Sequence, residues 1–243
     1  MSTGINHVTG LELKCIYGSI TLDIVSQKEY TICDRLGGEM MNDTYTDMVM
    51  ERIINAGDMQ AFVATDFTDI ADYNTVRKIL LRLTTRKKIK RVLRGVYYFP
   101  KFSELLQEDV APSPHHVALA VARNYNWSIV PSGNTALNQL GLSTQVPAYW
   151  NYISNGPYKS YSFGNVKIDF KHRSNKEITG FSRQSALVVQ ALKTLGKEGI
   201  DDRVITTLNQ LLTKQEKETL LTEAQATTTW IYRVIKSICL EEQ

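Results

Sequence analysis

Ten lysines and arginines fall between residues 73 and 103 with no aspartate or glutamate among them: Arg77, Lys78, Arg82, Arg86, Lys87, Lys88, Lys90, Arg91, Arg94 and Lys101. A cationic block without internal counter-charges sets up a positive field whose natural counterion is a polyanion such as nucleic acid. The flanks are different in kind. Residues 1–72 carry 4 basic against 12 acidic side chains, and residues 104–243 carry 14 against 13, for a net charge of +3. A basic run is also what a solvated helix face looks like, so the spacing within the block has to decide between the two readings.

Other constellations carry less chemistry. Asp169-Phe170-Lys171 has the Asp-x-Lys form that can hold Mg²⁺ and activate water in nucleases, but such a site needs a second carboxylate, and no Asp or Glu lies between Asp109 and Asp169. Alternation with Ile168 and Phe170 makes Asp169 and Lys171 the solvent face of a strand. His115 and His116 are adjacent, about 100° apart on a helix, and cannot form an i, i+4 metal pair. Cys15, Cys33 and Cys239 are too scattered for a zinc site or a disulfide framework. There is no G-x-x-x-x-G-K-[ST] and no G-x-S-x-G. Ser132-Gly133 reads as a helix start rather than a phosphate cradle. The expectation is no catalytic residue, no metal and no cofactor.

The elements that position the cations read as follows. Thr44 to Asn55 carries Tyr45, Met48, Val49 and Ile53 at helical spacing and is closed by Gly57. Thr65 to Ala71 reads as a second short helix. After a break at Asp72 to Asn74, Thr75 to Arg86 places Val76, Ile79, Leu80 and Leu83 on one face and Arg77, Lys78, Arg82 and Thr85 on the other. Ile89 to Leu93 and Val96 to Phe99 are β-prone, with Arg94-Gly95 between them and Pro100 at the end. Three helices and a hairpin make a winged helix-turn-helix, whose third helix can enter a major groove while the wing reaches phosphates or the minor groove. The residues placed for double-stranded DNA are Asn74, Thr75, Arg77 and Lys78 near the start of the third helix, with Arg82, Lys90, Arg91 and Arg94 neutralising phosphates.

The stretch Leu80-x-x-Leu83 … Ile89-x-Arg91-x-x-x-Gly95-x-Tyr97-x-x-Pro100 resembles the winged-helix module of the abortive-infection AbiEi-type antitoxins. Pro131-Ser132-Gly133-Asn134-Thr135-Ala136-Leu137-Asn138-Gln139-Leu140-Gly141-Leu142-Ser143-Thr144-Gln145-Val146-Pro147 is similar to the central signature of that family's C-terminal domain. The similarity continues through Asn155-Gly156-Pro157, Ile168 to His172 and Ala186 to Lys193, and spans roughly residues 44–200. The resemblance implies the antitoxin of a type IV toxin-antitoxin system. Such a protein represses its own operon through operator repeats and counters a nucleotidyltransferase toxin without a stable complex. It also implies a monomer or weak dimer that binds DNA cooperatively. Where relatives often place a Gly between recognition helix and wing, this chain has Arg86-Lys87-Lys88, which leaves the helix end and the wing's orientation open. The alternative is a stand-alone winged-helix regulator with a ligand-sensing C-terminal domain.

The expected fold is therefore α+β, an N-terminal winged helix-turn-helix over residues 43–103 followed by a mixed α/β C-terminal domain over 104–243. In the latter, Ser113-Pro114 opens a helix with Val117, Ala120 and Val121 inward. Trp127 to Val130 is a strand, Pro131 to Gly133 a turn, and a helix runs on to Leu140 with Gly141 as its stop. Strands follow at 149–153, 159–163 and 166–170, and helices at 182–195, 201–212 and 214–238. Lys159, Lys167, Lys171, His172, Arg173 and Lys176 form a second, milder cationic patch. Residues 1–42 read as an extension with a small hairpin around Gly18-Ser19, and the doublet Met40-Met41 is a candidate translation start. No apolar run is long enough to span a membrane and residues 1–10 do not read as a signal peptide, so the expected location is cytoplasmic.

Overall fold

Three short strands, rather than the two of a simple hairpin, carry the cationic segment. In the computed structural model, which describes residues 44–57, 60–105, 107–174, 178 and 180–240, β1 (Ala61–Val63), β2 (Lys90–Leu93) and β3 (Val96–Tyr98) form an antiparallel sheet in the order β1-β3-β2. Phe62 stands opposite Tyr97 and Tyr97 opposite Arg91, so these three share one face, while Ala61, Tyr98 and Lys90 share the other. The β2–β3 turn is Arg94-Gly95, with Gly95 at φ +81°, as a tight hairpin requires. The hairpin expected at residues 11–25 and the start expected at Met40-Met41 lie outside the described residues.

Both faces of this sheet are covered. On one side α1 (Thr44–Ala56), a 3-10 turn (Ala64–Phe67) and α2 (Tyr73–Thr85) bury Val49, Ile53, Phe67, Val76, Ile79, Leu80 and Leu83 against Phe62, Ile89 and Phe99. On the other side Ala61, Val63 and Val96 share a core with α3 (Pro114–Tyr125), through Val117 and Val121, and with a four-stranded sheet, through Trp150, Tyr152, Ile168 and Phe170. Each fully buried aliphatic side chain contributes about 1.5–3 kcal/mol. This shared lining explains why residues 44–243 form one compact unit.

The four-stranded sheet has the order β6-β7-β9-β8, from β6 (Ile129–Ser132), β7 (Tyr149–Ser154), β8 (Lys159–Phe163) and β9 (Val166–His172). β7 and β9 are parallel and the other pairs antiparallel. Pro131 and Ser132, expected in a turn, belong to β6. Proline is tolerated there because β6 is an edge strand. α4 (Asn134–Gln139) and α5 (Arg183–Leu195) pack on the opposite side of that edge, and α6 (Asp202–Leu211), α7 (Lys214–Glu223) and α8 (Thr229–Leu240) complete the last core around Leu192, Leu208, Leu220, Ile231 and Ile235. A third sheet among the described residues, the hairpin β4 (Lys101–Ser103) and β5 (Glu108–Val110), follows β3. The fold is α+β.

Three local readings differ from expectation. The second helix shrinks to the 3-10 turn, because the Asp66 carboxylate accepts the Val63 N–H at 2.9 Å and tightens the chain there. Tyr45 and Met48 are exposed, and Met50 is buried instead. Met48 and Met50 flank the Val49–Ile53 line on either side, so helical spacing alone does not choose between them. The expected helix 214–238 is two helices, broken where Thr227 Oγ1 donates to Ala224 O at 2.6 Å and the β-branched run Thr227-Thr228-Thr229 resumes helix only at its last residue.

Candidate nucleic-acid interface

α2 owes its start to Asp72, whose carboxylate accepts the N–H groups of Asn74 and Thr75 at 3.0 and 3.2 Å, and a hydrogen bond from the Thr75 side chain first, with those amides after it, holds its pKa below the usual carboxylate range. The helix therefore begins two residues earlier than the sequence implies, and Tyr73 and Asn74 lie on its first turn. Its buried stripe is Val76, Ile79, Leu80 and Leu83. Opposite the stripe, Asn74, Arg77, Lys78 and Arg82 are exposed and Thr75 is half-buried. The Arg77 guanidinium lies 5.8 Å from the centre of the Tyr73 ring, a contact that orients it without neutralising it.

The helix ends in a left-handed cap built on a lysine. Lys87 has φ +59°, its N–H donates to Thr84 O at 3.0 Å, and the Lys88 N–H donates to Leu83 O at 2.9 Å. This pair of bonds is the Schellman motif, whose left-handed residue is usually glycine. The same motif closes α3 with Asn126 at φ +53° and α4 with Gly141 at φ +67°. The departure Arg86-Lys87-Lys88 thus leaves the helix end intact, at the cost of a left-handed lysine between α2 and the β2–β3 hairpin.

The eight residues placed for DNA do not all gather. Arg77 and Lys78 on α2, and Arg91 and Arg94 on the wing, are exposed; Arg91 lies on the sheet face that packs against α2. Among the described residues, Lys78, Lys87, Lys88, Arg91 and Arg94 have no ion-pair partner. Arg82 donates to Thr46 Oγ1 at 3.2 Å and so braces α1. Lys90 lies on the opposite sheet face, with its ammonium 2.7 Å from Asp109 of β5, which raises its pKa above the ordinary lysine value. The acid that occupies Lys90 lies nineteen residues downstream, beyond the reach of local pattern. Sequence reasoning passed over Arg86 and Lys87, which extend the exposed cationic line beyond the helix; the signal available was the cation in a glycine position.

A second polar cluster sits where α3, α4, β7 and α5 converge. The Arg183 guanidinium donates to His115 Nε2 at 3.1 Å. Nδ1 faces the Tyr152 hydroxyl at 3.1 Å and the Gln139 amide at 2.8 Å. Burial first, then Arg183 and His116, push the His115 pKa down to about 4, and burial raises that of Tyr152, so both are neutral at pH 7. Asp169 is engaged by Ser160 Oγ and by Lys167 Nζ at 3.4 Å. Among the described residues, no three of His, Cys, Asp and Glu gather to hold a metal, and no helix is long and apolar enough to cross a membrane.

No curated protein sequence matches this chain. The crystal structure of the RV2827C protein from Mycobacterium tuberculosis aligns with 84% of this chain and 78% of its own, at 13% identity and a TM-score of 0.38. Residues 49–220 match the model of a family of unknown function, DUF6088, and the chain belongs to that family.

Proposed function

We propose that this protein binds double-stranded DNA, with α2 in the major groove and the β2–β3 wing against the flanking backbone. The observation that carries the reading is the disposition of the acid-free cationic window. Arg77 and Lys78 stand on the exposed face of a capped helix, Arg91 and Arg94 on the adjoining hairpin, and the apolar half of the same helix is buried. Of the eight residues named from sequence, Lys90 serves a structural ion pair, and Arg86 and Lys87 join the interface in its place.

The biological role proposed with it is that of a cytoplasmic antitoxin that represses its own operon. The resemblance of residues 131–147 to the AbiEi-type signature supports this role. A gel-shift titration on the DNA upstream of its own gene tests the binding. Affinity should fall steeply with salt, by a log-log slope of about −0.9 per phosphate neutralised. The double variant Arg77→Ala, Lys78→Ala should lose preference for that DNA over random duplex while melting like the parent. Co-expression with a neighbouring nucleotidyltransferase tests the antitoxin role, and absence of rescue would leave the stand-alone regulator as the better reading.

A further inference from the structure

One apolar side chain stands in the middle of the cationic helix face. Leu81 is 58% exposed, although the same helix buries Leu80 and Leu83. At about 100° per residue, Leu81 lies about 30° from the direction opposite the buried stripe, with Arg77 about 40° to one side of it and Lys78 about 60° to the other. Asn74 and Thr85, both exposed, fall on the same outward row, toward the start and the end of the helix. A leucine exposed alone on a solvated helix needs no explanation. This one is ringed by the exposed side chains of Arg77, Lys78, Arg82 and Thr85, and apart from Tyr73 in the first turn it is the only exposed apolar side chain of α2.

The neighbours leave it open. The Arg77 guanidinium is drawn toward the helix start, 5.8 Å from the centre of the Tyr73 ring, and Arg82 reaches across to Thr46 of α1 at 3.2 Å. Thr85 donates its hydroxyl proton to Leu81 O at 3.0 Å, so it has none left for a ligand. Leu81 therefore presents uncovered methyl groups to whatever meets this face. A duplex that touches Arg77 and Lys78 near the start of α2 and Arg86 and Lys87 at its end passes over Leu81, which stands about 6 Å along the helix axis from Arg77, less than two base-pair steps.

The major-groove edges of the base pairs carry hydrogen-bond donors and acceptors and one apolar group, the thymine 5-methyl. An isobutyl side chain has no hydrogen bond to offer, and it strips water from any polar edge it covers without replacing it. We infer that Leu81 packs on the 5-methyl group of a thymine and so selects a T·A pair beneath the centre of α2. This deepens the DNA reading proposed above and rests on it. Arg77 and Lys78 supply attraction to phosphates and hydrogen bonds to base edges, and Leu81 adds a preference that charge alone does not give.

The test uses the full chain and a duplex from the DNA upstream of its own gene, in which each thymine of the protected segment is replaced singly by deoxyuridine, which lacks only the 5-methyl group. At one thymine in each bound segment the parent should lose affinity about 4-fold, the fold-change that ~0.8 kcal/mol per buried methyl gives, and elsewhere it should lose none. Leu81→Ala should bind the unmodified duplex more weakly than the parent does and should treat thymine and deoxyuridine alike. Leu81→Gln, which keeps the reach without the apolar surface, should do the same. Both variants should keep the parent's salt slope, because no phosphate contact changes.

Indifference of the parent to every replacement overturns the inference, as does a Leu81→Ala variant that still tells thymine from deoxyuridine. Self-association of the parent that Leu81→Ala abolishes also overturns it, since Leu81 then meets a second copy of the chain rather than a base. If Arg77→Ala, Lys78→Ala loses the preference for the upstream DNA while no deoxyuridine matters, the reading of α2 stands and the thymine contact does not. If that double variant binds as the parent does, both fall.

Discussion

Replacing Lys87 by glycine should move stability and DNA affinity in opposite directions. A residue with a Cβ pays about 1–2 kcal/mol to stand in the left-handed region, and glycine pays nothing there. Against this, glycine gives the unfolded chain extra freedom, on the order of 0.5–1 kcal/mol. The two bonds of the cap are backbone to backbone, Lys87 N–H to Thr84 O and Lys88 N–H to Leu83 O, and survive the change. The net expectation is a gain of about 0.5–1 kcal/mol, or a rise in Tm of roughly 1–4 °C for a folded unit of this size. The same substitution removes an exposed cation between α2 and the wing. Duplex affinity should fall and the salt slope should become shallower by about 0.9. Differential scanning calorimetry reads the first effect and fluorescence anisotropy on labelled duplex the second, with Lys87→Asn as a control that keeps the turn but not the charge. A fall in Tm for Lys87→Gly would mean that the helix does not end in a left-handed residue. A rise in Tm with unchanged affinity would place Lys87 off the DNA.

Gly156→Ala should destabilise by about 1–3 kcal/mol, since the added methyl must displace the Trp127 indole; a melt unchanged within a degree would refute that close approach. Stability should fall as pH drops from about 6.5 to 4, because over that range the unfolded chain binds a proton at His115 that the folded site, titrating near 4, refuses. With the ring partly open to solvent the loss is on the order of 1–2 kcal/mol, it is absent above pH 6.5, and urea melts of His115→Gln should lack it. Arg123 joins α3 to the winged segment through Asp66, at 2.8 and 3.0 Å, and through Ala61 O at 2.9 Å. Arg123→Ala should cost about 1–2 kcal/mol, and a double-mutant cycle with Asp66→Asn should show coupling of several tenths of a kcal/mol or more. Arg77→Ala, Lys78→Ala should leave Tm within about a degree of the parent, since both side chains lie opposite the buried stripe; a large fall would mean that they brace the fold.

What could be read in advance was what repeats locally. The stripe of α2 was legible because four apolar residues recur at helical spacing beside four polar ones, and the β2–β3 turn was legible because Arg94-Gly95 divides two β-prone runs. The strand β1 was not. Ala61, Phe62 and Val63 are buried on both faces, so they show no alternation, and three residues are too few to declare a period. The hairpin β4–β5 was hidden behind Pro100, which looked like the end of the strands. The partners that decide individual side chains, Asp109 for Lys90, Arg183 for His115 and Trp127 for Gly156, come from distant positions, and no local pattern announces them. Charge segregation and the alternation of Lys90 and Arg91 along a strand were visible in the sequence alone, whereas which of the two faces α2 required knowing which side of β2 meets which core.

Within the central strand trio, β1 and β3 have no wet side. Its rear lining of Ala61, Val63 and Val96 is shared with Val117, Trp150 and Phe170. A fragment cut near residue 103 would shed that lining and present a greasy wall to water, so the front half cannot be exchanged as a cassette onto another effector without being relined. The proposed grip on DNA and whatever the rear half does are therefore inherited together, as one casting.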